Sequence, residues 1–373
     1  MKLFIRVFGI TVFVFLFLLA LPYMLPKKKM PKYSDDELRE VALSRGMKPV
    51  PSTYKELLKV VDNPENPLSV KKILLGKELF FDTLLSKDKD ISCASCHILQ
   101  EGGDDNIPAA TGYRGRVNPF HLNSPTVLNS ALAKAEFWNG RAKDVEEQAG
   151  GPIQAPFEMN MTPKEVVERL KKVPSYKTEF QDVFAKELKE GEDAISFKNV
   201  KKAIGAYERT LLTRGDYDRF LEGDNLAMSK RAKKGLAHFI NYGCKGCHTG
   251  MSVGGQSLQK FPLRGYIDWL NISVLPDIKL KNQGFPFENT GGFLGKDDHK
   301  LFRVPILRNI TKTAPYFHNG AVKDLKEVIR IMGKHQIGVD FTKEEVEDIL
   351  AFFKTLEGKI VDYKIGESGY QVK

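Results

Sequence analysis

Two short runs carry the chemistry that this chain can do. Residues 92–97 read Ser-Cys-Ala-Ser-Cys-His, and residues 244–248 read Cys-Lys-Gly-Cys-His. In each run, two thiols three positions apart can each add across one vinyl group of the same haem. The histidine that follows is then placed beneath the iron as an axial ligand. A single motif of this kind could also be a redox dithiol or half of a zinc site. Here two copies use all four cysteines of the chain, Cys93, Cys96, Cys244 and Cys247, and both end in histidine, His97 and His248. The pattern therefore predicts two covalently held haem c groups and leaves no cysteine for a disulfide.

What such a protein does depends on the second axial position of each iron. A strong sixth ligand makes an electron carrier, whereas an open face admits peroxide or oxygen. For the second haem the candidate is Met332, on the apolar helical face Leu325, Val328, Ile329, Met332. On spacing alone a methionine there reads first as core packing. For the first haem, His121 and Tyr113 lie in an irregular stretch from Glu101 to Pro125 and could approach the iron. Peroxide cleavage on an open haem also needs a group that shuttles a proton and a polar partner to orient it. Gln148 and Glu158 sit in a Gly/Pro-rich segment, where a lone carboxylate is ordinarily solvated, and Trp138 is ordinarily core.

The elements that must position these residues are helical. Ser34, Ser69, Ser196 and Ser229 stand as N-caps before apolar-periodic runs, and Asp324 opens another. Thr162-Pro-Lys-Glu165 and Thr342-Lys-Glu-Glu345 are capping boxes. Strand signals are sparse. At 373 residues, with one haem motif in each half, the chain has room for two domains of ordinary size. The predicted fold is mainly α, with two cytochrome c-like domains at 34–214 and 215–373 behind an N-terminal transmembrane helix and basic linker at 1–33. Residues 7–25 are nineteen positions without a charge, flanked by Lys2 and Arg6 and by Lys27, Lys28 and Lys29. That length suits an uncleaved anchor better than a cleaved signal, and either one exports the body of the chain. Lys and Arg exceed Asp and Glu by 57 to 47. The excess is scattered and comes with no nucleic-acid motif, which argues against a nucleic-acid partner.

Several ordered blocks strengthen these readings. They are Leu75-Gly-Lys-Glu-Leu-Phe-Phe-Asp82, Asn123-Ser-Pro-Thr-Val-Leu-Asn129, Phe137-Trp-Asn-Gly-Arg141, Glu147-Gln-Ala-Gly-Gly-Pro152, Phe302-Arg-Val-Pro305, Leu307-Arg-Asn309 and Ala314-Pro-Tyr-Phe-His-Asn-Gly320. With the two haem motifs, they make the chain resemble the bacterial di-haem cytochrome c peroxidases from about Leu68 to Phe353. The resemblance implies reduction of hydrogen peroxide to water in the periplasm, or on the outer face of the cytoplasmic membrane. It assigns Trp138 as an electron relay between the haems, Gln148 and Glu158 as the distal pair, and Glu158 as general acid/base. It places His318 near the second haem and makes Met332 that haem's axial ligand. It assigns one calcium ion to Asn123, Thr313 and Pro315, an all-oxygen site, and suggests a homodimer. The electron donor is left open between a cytochrome c and a membrane quinol pool.

One departure from the family pattern stands out. Where relatives have a distal histidine on the first haem, this chain reads Thr111-Gly-Tyr113-Arg-Gly115. A weaker block of that iron follows, unless Tyr113 ligates as phenolate or His121 takes over. Two alternatives compete with a peroxidase. A plain electron-transfer or sensory cytochrome would have both irons six-coordinate. A di-haem oxidase acting on a protein substrate has tyrosine where this chain keeps Met332.

Overall fold

The computed structural model describes residues 30–263, 284–297 and 299–365. The chain divides between Tyr33 and Ser34. The charge-free run at 7–25, where the membrane anchor was expected, lies outside the described residues. Among the described residues no helix is long and apolar enough to cross a membrane.

From Ser34 onward the protein is mainly helical. In chain order the helices are α1 (Asp35–Ser44), α2 (Tyr54–Val61), α3 (Val70–Phe81), α4 (Cys93–Cys96), α5 (Val145–Gln154), α6 (Pro163–Leu170), α7 (Pro174–Phe184), α8 (Phe197–Glu208), α9 (Asp216–Leu221), α10 (Lys230–Asn241), α11 (Leu325–Met332) and α12 (Lys343–Thr355). The predicted caps are in place. Ser34, Thr162 and Thr342 form reciprocal capping boxes with Glu37, Glu165 and Glu345, which satisfies backbone donors that a helix start leaves orphaned. Four helices, α2, α4, α5 and α9, were not anticipated. α2 is short and opens on a Thr53/Glu56 box. α5 runs through Gly150, Gly151 and Pro152, residues that ordinarily break a helix.

Each haem motif is delivered by a helix braced against a later one. α3 precedes the first motif and packs on α8; α10 runs into the second and packs on α12. Both crossings are glycine-tight. A Cβ on Gly76 would lie 1.9 Å from Ala203 O, and one on Gly235 would lie 1.8 Å from Asp348 O. Around α3 and α8 the core gathers Leu79, Phe80, Phe180, Val200 and Ile204.

The strands are short. β1 (Thr213–Gly215) pairs antiparallel with β4 (Gly358–Ile360), and β2 (Leu258–Lys260) pairs with β3 (Leu301–Arg303). The first pairing draws the C-terminal segment back to the middle of the chain, and beyond it Tyr363 Oη donates to Pro51 O in the N-terminal half. In the opposite direction, α1 packs on α9 and α10, and Lys233 pairs with Asp35 at 2.6 Å. The two ends of the body therefore cross between the halves. Beneath them Arg308 and Asp218, both fully buried, form a bidentate pair at 2.8 and 2.7 Å.

The structure also exposes an internal repeat that the one-dimensional pattern did not suggest. Asn129, Phe137, Trp138 and Asp144 recur as Asn309, Phe317, His318 and Asp324, each pair 180 positions apart. Both asparagines and both phenylalanines adopt left-handed backbone, with φ of 63° and 61° for the first pair and 65° and 68° for the second. Both aspartates cap helices, α5 and α11. The two asparagines converge on Thr213 Oγ1, at 2.9 and 3.0 Å.

Candidate active site: two haem cavities with a shared wall

The first cavity is lined by Cys93, Cys96 and His97 together with Phe137, Trp138, Arg141, Gln148, Glu158 and Phe293. His97 Nδ1 donates to Gly103 O at 3.1 Å. A carbonyl can only accept, so Nδ1 carries the proton and Nε2 keeps its lone pair for a metal. Burial also lowers the His97 pKa, which favours the neutral ring a ligand requires.

The second cavity contains Cys244, Cys247 and His248 together with Met332. Burial depresses His248 to about 4. Met332 ends α11 and passes directly into a π-helical turn over Gly333–Ile337, a distortion frequent at functional sites. The thiols of both motifs are pushed up by burial, Cys96 and Cys244 to about 12. A reactive redox dithiol needs the opposite shift.

Trp138, Asn123 and Ser124 line both cavities. The Trp138 indole Nε1 donates to Asn123 O at 2.8 Å, and its ring meets His318 edge-on with centroids 6.4 Å apart. His318 is buried, donates from Nε2 to Asn289 Oδ1 at 2.7 Å, and lines only the second cavity. The repeat makes this wall reciprocal. Arg303 N donates to Trp138 O at 2.8 Å, and Asn123 N donates to His318 O at 2.9 Å.

Glu158 is not the solvated loop residue that its neighbours in sequence suggested. It faces the first cavity, where burial raises its pKa and the Arg141 guanidinium lowers it. Its backbone is gripped from the loop above. Tyr113 N donates to Glu158 O at 2.7 Å, and a Cβ on Gly112 would lie 2.5 Å from Glu158 Cα. Tyr113 and His121 are not among the residues lining the first cavity. The buried Tyr113 ring lies beneath two guanidiniums, Arg114 at 4.9 Å and Arg116 at 5.5 Å. Arg114 is held in turn by Asp88 at 2.9 Å. Among the described residues lining this cavity, His97 is the one histidine, no tyrosine is present, and Met159, buried in the core, is the one methionine.

The three residues expected to hold calcium, Asn123, Thr313 and Pro315, all line the second cavity. Asn123 Nδ2 donates to Ile107 O at 2.8 Å, which turns its Oδ1 the other way. The same cavity contains Asp104, 1% exposed, with neither carboxylate oxygen in a hydrogen bond of normal geometry. Burial and neighbouring Asp105 raise its pKa to about 7. Sequence reasoning passed over Asp104 and two further groups. Glu208 at the end of α8 lines the first cavity and is raised well above the carboxylate range by burial and by Glu136 and Glu146. Arg303 in the wall of the second is paired with Glu136 at 3.1 Å. A terminal helical carboxylate and a scattered arginine are indistinguishable from surface residues until their distant partners are known.

The class this architecture defines is a helical protein with two covalently held haems whose cavities share a wall. The sequence pattern of the di-haem cytochrome c peroxidases matches residues 70–226. The chain is 40% identical over 344 residues to a cytochrome c551 peroxidase of Pseudomonas aeruginosa, covering 92% of each chain. It is also 40% identical over 292 residues to the cytochrome c551 peroxidase of Nitrosomonas europaea, covering 78% of this chain and 81% of that one. A crystal structure of a MauG-like protein associated with microbial copper homeostasis superposes with a TM-score of 0.66 at 25% identity, over 93% of this chain and all of the other. The protein belongs to the di-haem cytochrome c peroxidase family and is a peroxidase.

Proposed function

We propose that this chain reduces hydrogen peroxide to water with its two haem-bearing halves, 34–214 and 215–373, in unequal roles. The observation that carries the proposal is the asymmetry of the cavities. His248 and Met332 share one, whereas His97 shares the other with Gln148, Glu158 and Arg141. Bound haem supplies the redox chemistry, with electrons taken in on the His248/Met332 side and used to reduce peroxide on the His97 side.

The protein's own groups do the rest. Glu158 takes a proton from peroxide at its carboxylate and returns it to the departing oxygen, while Gln148 orients the substrate by hydrogen bonding. Arg141 keeps Glu158 ionisable against the pull of burial. Phe137 and Phe293 line the same cavity and limit its water. Trp138, in both walls, is the relay. Its main-chain and indole hydrogen bonds hold it there. Tyr113, packed under Arg114 and Arg116 and outside the lining of the first cavity, would not block a haem held by His97, and the oxidised enzyme would then need no reductive activation. His121, also outside the cavity lining, does not take its place.

Asn123 Oδ1 and the carbonyls of Thr313 and Pro315 bind one calcium ion, and the unpaired Asp104 carboxylate beside them supplies the negative charge such a site uses. Residues 7–25 anchor the protein so that its body lies on the periplasmic face, where a cytochrome c or the quinol pool supplies electrons. Family likeness supports a homodimer. The test is peroxide turnover with an artificial donor, comparing wild type with Gln148→Ala and Glu158→Gln. Strong loss in both is expected, and unimpaired turnover in Glu158→Gln removes that residue from the mechanism.

A further inference from the structure

Arg303 lines the second cavity and forms, with Glu136 behind it, a charged pair that the fold itself does not require. Glu136 and Arg303 meet at 3.1 Å with 5% and 3% of their surface exposed. They lie 167 positions apart, and the segments that carry them are already joined by Arg303 N–H donating to Trp138 O. Ion pair and main-chain hydrogen bond therefore close one ring of contacts around the turn Glu136-Phe137-Trp138. Phe137, in the middle, has φ of +65°, a conformation that a bulky residue keeps only where its surroundings over-determine it.

The internal repeat supplies a control. The positions equivalent to Glu136 and Arg303, 180 residues away, are Tyr316 and Asn123. There the same turn forms, with Phe317 at φ of +68° and Asn123 N donating to His318 O at 2.9 Å, without an ion pair. The turn does not need charge. Nor is a buried pair generally a source of stability, since a well-packed apolar pair of similar volume does as well or better. The charges stand only on the side that carries Trp138.

We propose that Glu136 and Arg303 are a positioning pair that fixes the Trp138 indole in the shared wall. Their catalytic consequence rests on the relay assigned to Trp138 above. The pair's effect is read first without reference to turnover, as hydrogen–deuterium exchange of the Arg303 amide and the Trp138 indole in the haem-loaded protein. Glu136→Gln is expected to accelerate both exchanges at least about tenfold. It is also expected to lower kcat about tenfold or more, with KM for peroxide unchanged, since a displacement near 1 Å can cost on the order of 10²-fold. The double variant Glu136→Leu/Arg303→Met should unfold within a few degrees of wild type yet show the same fast exchange and low kcat. Wild-type exchange in Glu136→Gln overturns the proposal. So does a double variant that restores slow exchange, because the pair would then only fill space. Trp138→Phe is measured in parallel. If it leaves kcat unchanged the relay reading fails, while the exchange data still decide the role of the pair.

Discussion

Glu158→Gln keeps the size and the hydrogen-bonding reach of the side chain but removes its capacity to exchange a proton. A positioned general acid/base contributes about 10²–10⁴-fold, or roughly 2.7–5.5 kcal/mol of barrier at 1.36 kcal/mol per decade. Loss of kcat/KM in that range is expected with peroxide and an artificial donor. The cavity also sets the sign of a pH effect. Burial raises the Glu158 pKa and the Arg141 cation opposes the rise. To accept a proton the carboxyl must be ionised, so activity falls as pH drops through this raised value, above the acid limb of an ordinary glutamate. Arg141→Met removes the opposing charge, and the acid limb should move to higher pH. The assay is the pH profile of kcat/KM for wild type, Arg141→Met and Glu158→Gln. An acid limb that moves to lower pH in Arg141→Met would refute the electrostatic reasoning. A Glu158→Gln enzyme of near-wild-type activity would refute the assigned role.

Other outcomes follow from the packing and the cavities. Gly235→Ala drives a methyl into Asp348 O, 1.8 Å from the ideal Cβ, and should destabilise by at least about 1–3 kcal/mol, measured by denaturant unfolding of the holoprotein. Arg308→Met strands a fully buried Asp218 carboxylate and should cost about 3–5 kcal/mol, part of it recovered in Arg308→Met/Asp218→Asn. Glu208 is buried with a raised pKa, so the folded state binds its proton more tightly than the unfolded state does. Its neutral form supports the fold at low pH, and stability falls as pH rises through the native value. Glu208→Gln should flatten that decline in melting temperature. Met332→His should lower the midpoint potential of the second haem, because methionine ligation raises it; an unchanged potential in a redox titration argues that Met332 is not a ligand.

Local chemistry was legible in the sequence, and long-range geometry was not. The motifs ending at His97 and His248 are contiguous, so spacing alone points to haem attachment. The N-cap at Ser34 and the capping boxes at Thr162 and Thr342 marked helix starts because the bonds that close them span three residues. α5 escaped notice because Gly150, Gly151 and Pro152 oppose a helix. Tertiary packing overrides that preference: a Cβ on Gly151 would come within 2.7 Å of the Phe137 ring. The place of Tyr113 could not be read, since the direction of its ring is set by Arg114, Arg116 and the backbone of Glu158. Glu136 and Arg303 stayed invisible for a similar reason. A charge in sequence says nothing of a partner 167 residues away.

The central claim is that one iron is closed by the protein and the other is open. Cyanide titration of the fully oxidised holoprotein, followed by electron paramagnetic resonance, tests it directly. One haem, and no more, should convert readily to a low-spin cyanide complex, and His97→Gly should abolish or displace that signal. Two irons already low-spin and inert to cyanide in the oxidised protein would contradict it.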